Sequence, residues 1–128
     1  MYADSQRLTT LEAYNQYVEF TGAVYDNSTQ MLSITNEQYE NLQSLYMVIG
    51  GESFEVTRNA QIWPRALNTA IGGETDAIYL VVAQYKAESS GVDFIFGMVL
   101  LERFYSVLDT ENHRIGLART QFTNATTN

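Results

Sequence analysis

Side chains that could carry out catalysis or bind a metal are few in this chain, and they lie far apart. The sequence has no cysteine and one histidine, His113, which lies beside a turn with no serine, cysteine or second histidine arranged around it. A solvated turn residue is the better interpretation of His113, although histidine is the usual general base near neutral pH. Glu88 and Asp93 flank a polar loop but lack the cluster of oxygen ligands that calcium requires. The residues by themselves therefore predict no metal site and no cofactor.

The balance of charges excludes several classes of partner. Seven basic against fifteen acidic residues give a net charge of −8. We expect no nucleic-acid partner, because phosphate binding needs clustered lysine and arginine, and the chain has no basic stripe. No apolar run approaches the roughly 18 residues needed to span a membrane. The N-terminal residues 1–7 lack the apolar core of a signal peptide.

The sequence predicts mostly short strands, and these strands must position any functional site. Thr9 and Glu12 form a capping-box signature, which predicts a helix that continues to Phe20. Its apolar stripe is rich in tyrosine, and core packing is a better interpretation than a ligand-binding face. Strands are predicted where apolar residues run or alternate, at 31–34, 45–49, 54–56 and 78–82. Leu45–Ile49 is apolar on both faces, so we expect it to be covered on both sides.

The last third of the chain, 92–117, has a distinctive order of elements. An apolar run ends at Gly97, and a short helical pattern, an alternating strand, a turn and a closing strand follow. This order, with its segment FYSVLDTENHRIGLA, resembles the C-terminal end of a pepsin-like aspartic protease. Residues 44–56 resemble a hairpin of the same lobe, and residues 59–68 resemble a segment of the fungal, mushroom-type branch.

This resemblance covers residues 12–128 and implies a fold. We expect a mainly β chain that forms one lobe, the C-terminal half, of the bilobal pepsin-like acid protease fold. One N-terminal helix and one or two short helices should accompany the strands. The chain would be a single partial domain over residues 1–128, with an atypical N-terminus at 1–8 and a frayed tail at 123–128.

The resemblance also implies where the chemistry should lie. Pepsin-like proteases hydrolyse peptides with two carboxylates that share one proton across a water molecule. Each lobe donates one aspartate from an Asp-Thr/Ser-Gly loop, and Asp4-Ser5 is the corresponding candidate here. Gln6 stands where the loop needs glycine, and Arg7 stands where it needs a hydroxyl group. Asp4 is therefore a degenerate catalytic candidate, and Asp109-Thr110 belongs to the terminal hairpin turn instead.

Further expectations follow from the same resemblance. Ile95 would line a substrate subsite, and the loop 84–91 would rim it; without the family, Ile95 reads as a core residue. Partners would be a peptide or protein substrate and the missing N-terminal lobe or an equivalent chain, with no membrane. The protein would be extracellular. Asn27 and Asn124 begin two glycosylation sequons.

Three functions remain open. The first is an aspartic-type endopeptidase that acts at acid pH, of which this chain is a C-terminal lobe inactive by itself. The second is a non-catalytic remnant, or pseudoenzyme, that binds peptides or another protease. The third is a product without function, poorly soluble because surfaces normally covered by the other lobe are exposed.

Overall fold

Strands account for most of the regular structure. The computed structural model describes residues 7–9, 11–84, 92 and 94–127. Within these residues the strands are β1 Arg7–Thr9, β2 Val24–Asp26, β3 Met31–Ile34, β4 Leu45–Ile49, β5 Glu52–Val56, β6 Ile78–Leu80, β7 Val82–Gln84, β8 Phe104–Asp109 and β9 Arg114–Arg119. The α-helices are α1 Leu11–Thr21, α2 Asn36–Glu40 and α3 Met98–Leu101, and two 3-10 helices lie at Asn59–Gln61 and Arg65–Ile71. The prediction of a mainly β chain with one substantial helix is confirmed.

The strands form four small sheets within the described residues. β2, β3 and β6 make an antiparallel sheet in that order, and β4–β5 and β8–β9 are antiparallel hairpins. β1 runs parallel to β7, with Leu8 opposite Ala83. A parallel pair needs a long connection, and here everything from α1 to β6 lies between the two strands. The β1–β7 pair therefore brings the N-terminal segment beside a strand from the second half of the chain.

The core is centred on the most strand-like run of the sequence. Every residue from Ile78 to Val82 is buried, and a bend at Val81 divides the run into β6 and β7. Tyr17 of α1 is buried in the same cluster, and Tyr14 and Val18 pack against it. Core packing of the tyrosine stripe is thus confirmed at these positions.

The start of helix α1 differs from expectation. Helix α1 begins at Leu11, and Thr9 belongs to β1, so Thr9 is one residue too early to be the N-cap. A complete capping box lies instead at α2, where Thr35 Oγ1 accepts from the Gln38 amide and Gln38 Oε1 accepts from the Thr35 amide. Gln38 Nε2 also donates to the Gly22 carbonyl at 2.8 Å. The box therefore joins α2 to the end of α1.

Strand β4 is not covered on both sides, and that expectation was wrong. Tyr46 is 66% exposed and Val48 is 73% exposed, although both are apolar residues of a strand. The physical reason is that β4 pairs only with β5 among the described strands and borders an open cleft. The predicted turn at Gly50-Gly51 does form, with φ values of 59° and 85° that glycine adopts without strain.

The C-terminal segment is held by hydrogen bonds. Thr123 is buried, and its hydroxyl donates to the Arg103 carbonyl at 2.6 Å. Arg103 Nη1 donates to the Ala125 carbonyl at 2.7 Å, and Asn59 Nδ2 donates to the Thr126 carbonyl at 3.2 Å. The expectation of a frayed tail was wrong for residues 123–126, because a buried arginine and asparagine bind their main chain; residue 128 lies outside the described residues.

The turn between β2 and β3 is organised by a carboxylate. Asp26 Oδ1 accepts from the hydroxyl and the amide of Ser28, and Oδ2 accepts from the hydroxyl of Thr29. These bonds, with one from the Tyr79 hydroxyl, lower the pKa of Asp26. The Tyr79 hydroxyl also accepts from the Glu74 amide at 3.0 Å. The turn is therefore tied to the core strand β6.

Acid should weaken this turn. Because the pKa of Asp26 is lowered in the folded chain, its carboxylate stabilises the fold above the ordinary value of about 3.9, and this contribution is lost as the pH falls through the lowered value. We expect the free energy of unfolding of Asp26→Asn to fall less steeply than that of wild type between about pH 5 and pH 2. Urea unfolding at several pH values measures this. Asp76→Asn, at an exposed position, is the control; equal slopes for wild type and Asp26→Asn would contradict the prediction.

Candidate functional site

The catalytic candidate Asp4 lies outside the described residues, and so do residues 85–91 of the predicted rim loop. The described chain begins at Arg7 in β1, whose register places Arg7 opposite Val82 and Thr9 opposite Gln84. Strand β1, which begins three residues after Asp4, therefore runs beside β7. Asp4 itself remains a prediction.

The predicted subsite residue Ile95 lies in an extended segment that precedes α3. Ile95 is half-buried and is not a member of any buried cluster among the described residues. Its neighbours Phe94 and Phe96 line a cleft, whereas Ile95 does not. In an extended chain successive side chains point to opposite faces, which accounts for this division. The assignment of Ile95 to a substrate subsite stays a prediction.

A cleft of about 1200 Å³ lies among the described residues. One wall comes from α1 and α2, and the other comes from the segment that leads into β4 and from β4 itself. Val82, Phe94 and Phe96 also contribute to its lining. Tyr17 lines it too and donates its hydroxyl to Gln61 Oε1 at 3.0 Å. The cleft therefore borders the hydrophobic core and is not an isolated groove on the surface.

The cleft is apolar and bordered by exposed side chains. Phe20 at the end of α1 is 90% exposed, and the β4 residues Tyr46 and Val48 are exposed as well. Isolated exposed apolar residues are ordinary, but a contiguous exposed patch marks a surface that another molecule or another segment covers. The arrangement can accept an extended apolar segment along β4.

The cleft by itself has no acid–base machinery. Of the residues that line it, Glu37 alone carries a carboxyl group, and none is a histidine. Across the described residues no three His, Asp or Glu side chains lie close enough together to hold a metal ion. Two carboxylates that share a proton are thus not assembled among the described residues that line the cleft. The lining can bind, but it needs groups from elsewhere for hydrolysis.

Two other residues from the sequence analysis lie at the terminal hairpin. His113 is exposed, with φ of 51°, in the turn between β8 and β9. Asp109 accepts from Arg114 Nε at 2.7 Å and from Asn112. The Arg114 bond first, and the Asn112 bonds next, lower the pKa of Asp109. Asp109 therefore fixes the hairpin turn, as the sequence predicts.

Comparison with known proteins decides the family. The family described as eukaryotic aspartyl protease matches residues 6–120. The chain belongs to the eukaryotic aspartyl protease family. Polyporopepsin from Irpex lacteus is 56% identical over 122 residues, which cover 94% of this chain and 36% of the relative.

A solved aspartic protease gives the fold. The crystal structure of aspartic proteinase from Irpex lacteus matches with a TM-score of 0.92 and 54% identity, over 96% of this chain and 36% of that chain. The predicted pepsin-like acid protease lobe is confirmed by this match. The chain spans 36% of the length of each of these aspartic protease relatives. None of the helices in the described ranges has the length and apolar character that crossing a bilayer demands.

Sequence reasoning missed several residues of the aspartic protease lobe's cleft. It did not select Phe94 and Phe96, although their spacing of two could have placed them on one face. It also did not anticipate that α2 lines the cleft, although Thr35 followed by Gln38 is a capping-box signal that locates this helix. Those two signals together would have placed the cleft between α2, β4 and the segment before α3.

Proposed function

We propose that this chain is the C-terminal lobe of an extracellular aspartic-type endopeptidase that hydrolyses peptide bonds at acid pH. The observation that carries the proposal is the 56% identity to polyporopepsin across 94% of the chain. Identity at this level, distributed over the whole chain, supports conservation of the surface as well as of the fold. The substrate would be a peptide or protein.

The proposed chemistry needs two lobes. A carboxylate acts as general base toward a water molecule while its partner supplies the proton, so the pair must share one proton. The described residues bring no such pair together in the cleft, where Glu37 is the one carboxyl group. The aspartate of the other lobe, and an intact loop in place of Asp4-Ser5-Gln6, would have to complete the site. By itself the chain is then catalytically inactive.

The proposed partner is the N-terminal lobe. Support comes from the apolar side chains that the chain exposes on the terminal hairpin: Tyr105, Val107, Leu108 and Ile115. Both strands of this hairpin also pair only with each other among the described residues. Free strand edges and exposed apolar side chains are features that a neighbouring lobe would cover.

A chimaera tests the proposal. Residues 12–127 would replace the matching segment of polyporopepsin, and the relative would supply the remainder of the chain, including both catalytic aspartates. We expect pepstatin-sensitive cleavage of a fluorogenic peptide at about pH 4, within about tenfold of polyporopepsin itself. A folded chimaera with a rate indistinguishable from that of buffer would contradict the proposal.

A non-catalytic peptide-binding function is the second candidate. Its supporting observations are the free edge of β4, the apolar cleft beside it and the degenerate Asp4 motif. An extended peptide can add to an exposed strand edge through main-chain hydrogen bonds. Two results together would favour this function over the first: the isolated chain would bind a fluorescent apolar peptide saturably, and the chimaera described above would be inactive.

A further inference from the structure

The tip of the β2–β3 hairpin presents an asparagine to solvent. Asn27 is exposed and directly follows Asp26, the last residue of β2. With Ser28 and Thr29 it forms an Asn-x-Thr sequon, the acceptor sequence for N-linked oligosaccharide. The Gln30 amide donates to the Asp26 carbonyl at 2.8 Å and closes the turn. The turn therefore holds the Asn27 side chain away from the core.

The threonine of this sequon is in a different environment from the asparagine. Thr29 is 3% exposed, and its hydroxyl donates to Asp26 Oδ2 at 3.1 Å. The glycosylating enzyme recognises the threonine of the sequon as well as the asparagine. It therefore cannot bind the sequon once the turn has folded and Thr29 is buried. Modification must therefore precede closure of the hairpin, on the unfolded or emerging chain. Once the hairpin has closed, the exposed Asn27 side chain leaves space for an attached sugar.

We propose that Asn27 carries an N-linked oligosaccharide. The donor would be an oligosaccharide linked through diphosphate to a lipid. A bond forms between the Asn27 Nδ2 atom and the anomeric carbon of the first sugar, and the bond from that carbon to the diphosphate oxygen breaks. The lipid diphosphate leaves with the electron pair, and the amide nitrogen gives up one proton. The inference rests on the proposed extracellular destination, because this donor serves chains that enter the secretory route.

The oligosaccharide would lie beside an exposed outer strand. Within the described part of the chain, β2 pairs on one side only, with β3. Its residues Val24 and Tyr25 are 67% and 50% exposed. Outer strands with exposed apolar side chains promote association between copies, and bulky polar groups nearby oppose it. An oligosaccharide at Asn27, two residues beyond Tyr25, therefore protects this edge.

Site occupancy in yeast tests the inference. The 128-residue chain would be expressed behind a secretion signal as wild type, Asn27→Gln and Asn124→Gln, and treated with peptide N-glycosidase. We expect wild type and Asn124→Gln to lose the mass of an oligosaccharide at Asn27, and peptide mapping to find no oligosaccharide at residue 27 of Asn27→Gln. Both cell extract and medium would be measured, because attachment precedes folding and secretion.

Two results would overturn the inference or part of it. An unmodified Asn27 in wild-type chain from both fractions would overturn it. Equal light scattering by wild type and Asn27→Gln at the same concentration would remove the protective role of the oligosaccharide. Neither measurement depends on protease activity, so failure of the proposed endopeptidase function and failure of this inference remain distinguishable.

Discussion

Gln61→Leu is expected to lower the free energy of unfolding by about 3 kcal/mol, because it leaves buried polar groups without a partner. Gln61 is 0% exposed. Its Oε1 accepts from the Tyr17 hydroxyl, and its Nε2 donates to the carbonyls of Gln43 and Val56 at 2.8 and 3.1 Å. One side chain thus joins α1, the segment before β4 and the end of β5.

Urea unfolding followed by circular dichroism measures this loss. Gln43→Leu is the matched control, because Gln43 is exposed and its side chain donates only to the nearby Asn41 carbonyl among the contacts of the described chain. We expect the control to change the free energy of unfolding by less than about 0.5 kcal/mol. If both variants unfolded at the same urea concentration as wild type, the central role of Gln61 would be refuted.

Arg103→Ala is expected to cost about 3 kcal/mol and to release the C-terminal segment. Arg103 is buried, and its guanidinium donates to the Ala125 carbonyl and to Asn59 Oδ1 at 3.1 Å. Burial lowers the pKa of Arg103, so removing the cation recovers some desolvation free energy. The loss still dominates, because the variant leaves buried acceptors unpaired and a cavity where the side chain packed.

Hydrogen exchange distinguishes this effect from a general loss of stability. In Arg103→Ala we expect the Thr123 and Ala125 amides, which donate to the carbonyls of Thr120 and Phe122, to exchange faster than those of β6. Arg103→Lys should recover only part of the stability, because an ammonium group cannot reproduce the planar fork of a guanidinium. Arg119→Ala, at an exposed position, is the control. An unchanged exchange rate of the Thr123 amide would contradict the proposal that Arg103 holds the C-terminal segment.

The terminal hairpin shows how far local sequence rules reach. Alternation in Phe104–Leu108 and the turn residues Asp109–Asn112 predict β8, the turn and β9, and the register pairs Asp109 with Arg114 as a hairpin requires. These features depend on neighbours in sequence, so a single chain specifies them. The fold class was likewise available from the resemblance of this segment to pepsin-like proteases.

The missed features depend on contacts between distant parts of the chain. Gln61 and Asn68 are ordinary polar residues in the sequence, yet both are buried, and Asn68 Nδ2 donates to the carbonyls of Glu74 and Ala77 at 2.9 Å. Periodicity cannot identify a buried amide, because its hydrogen-bond partners are main-chain carbonyls and, for Gln61, the Tyr17 hydroxyl, which only the folded chain brings near it. The 3-10 helix Arg65–Ile71, which carries Asn68, was missed for the same reason.

The exposure of β4 has a different cause. Its sequence is that of a covered strand, but the cover is not among the residues that the structure describes. The apolar pattern of a strand reflects all the surroundings in which the strand functions. The burial measured here counts only contacts with the described residues. The difference between the two therefore points to the β4 side of the cleft, the surface on which the second candidate function places an extended peptide.

Cleavage of a quenched fluorogenic peptide by the purified chain at about pH 4, with and without pepstatin, tests the central claim most directly. The account predicts no pepstatin-sensitive turnover in a sample shown to be folded by circular dichroism, because one lobe cannot assemble the carboxylate pair. Pepstatin-sensitive turnover that persists through purification and is lost in Asp4→Asn would contradict it. That result would mean that Asp4 assembles a catalytic pair from two copies of this chain.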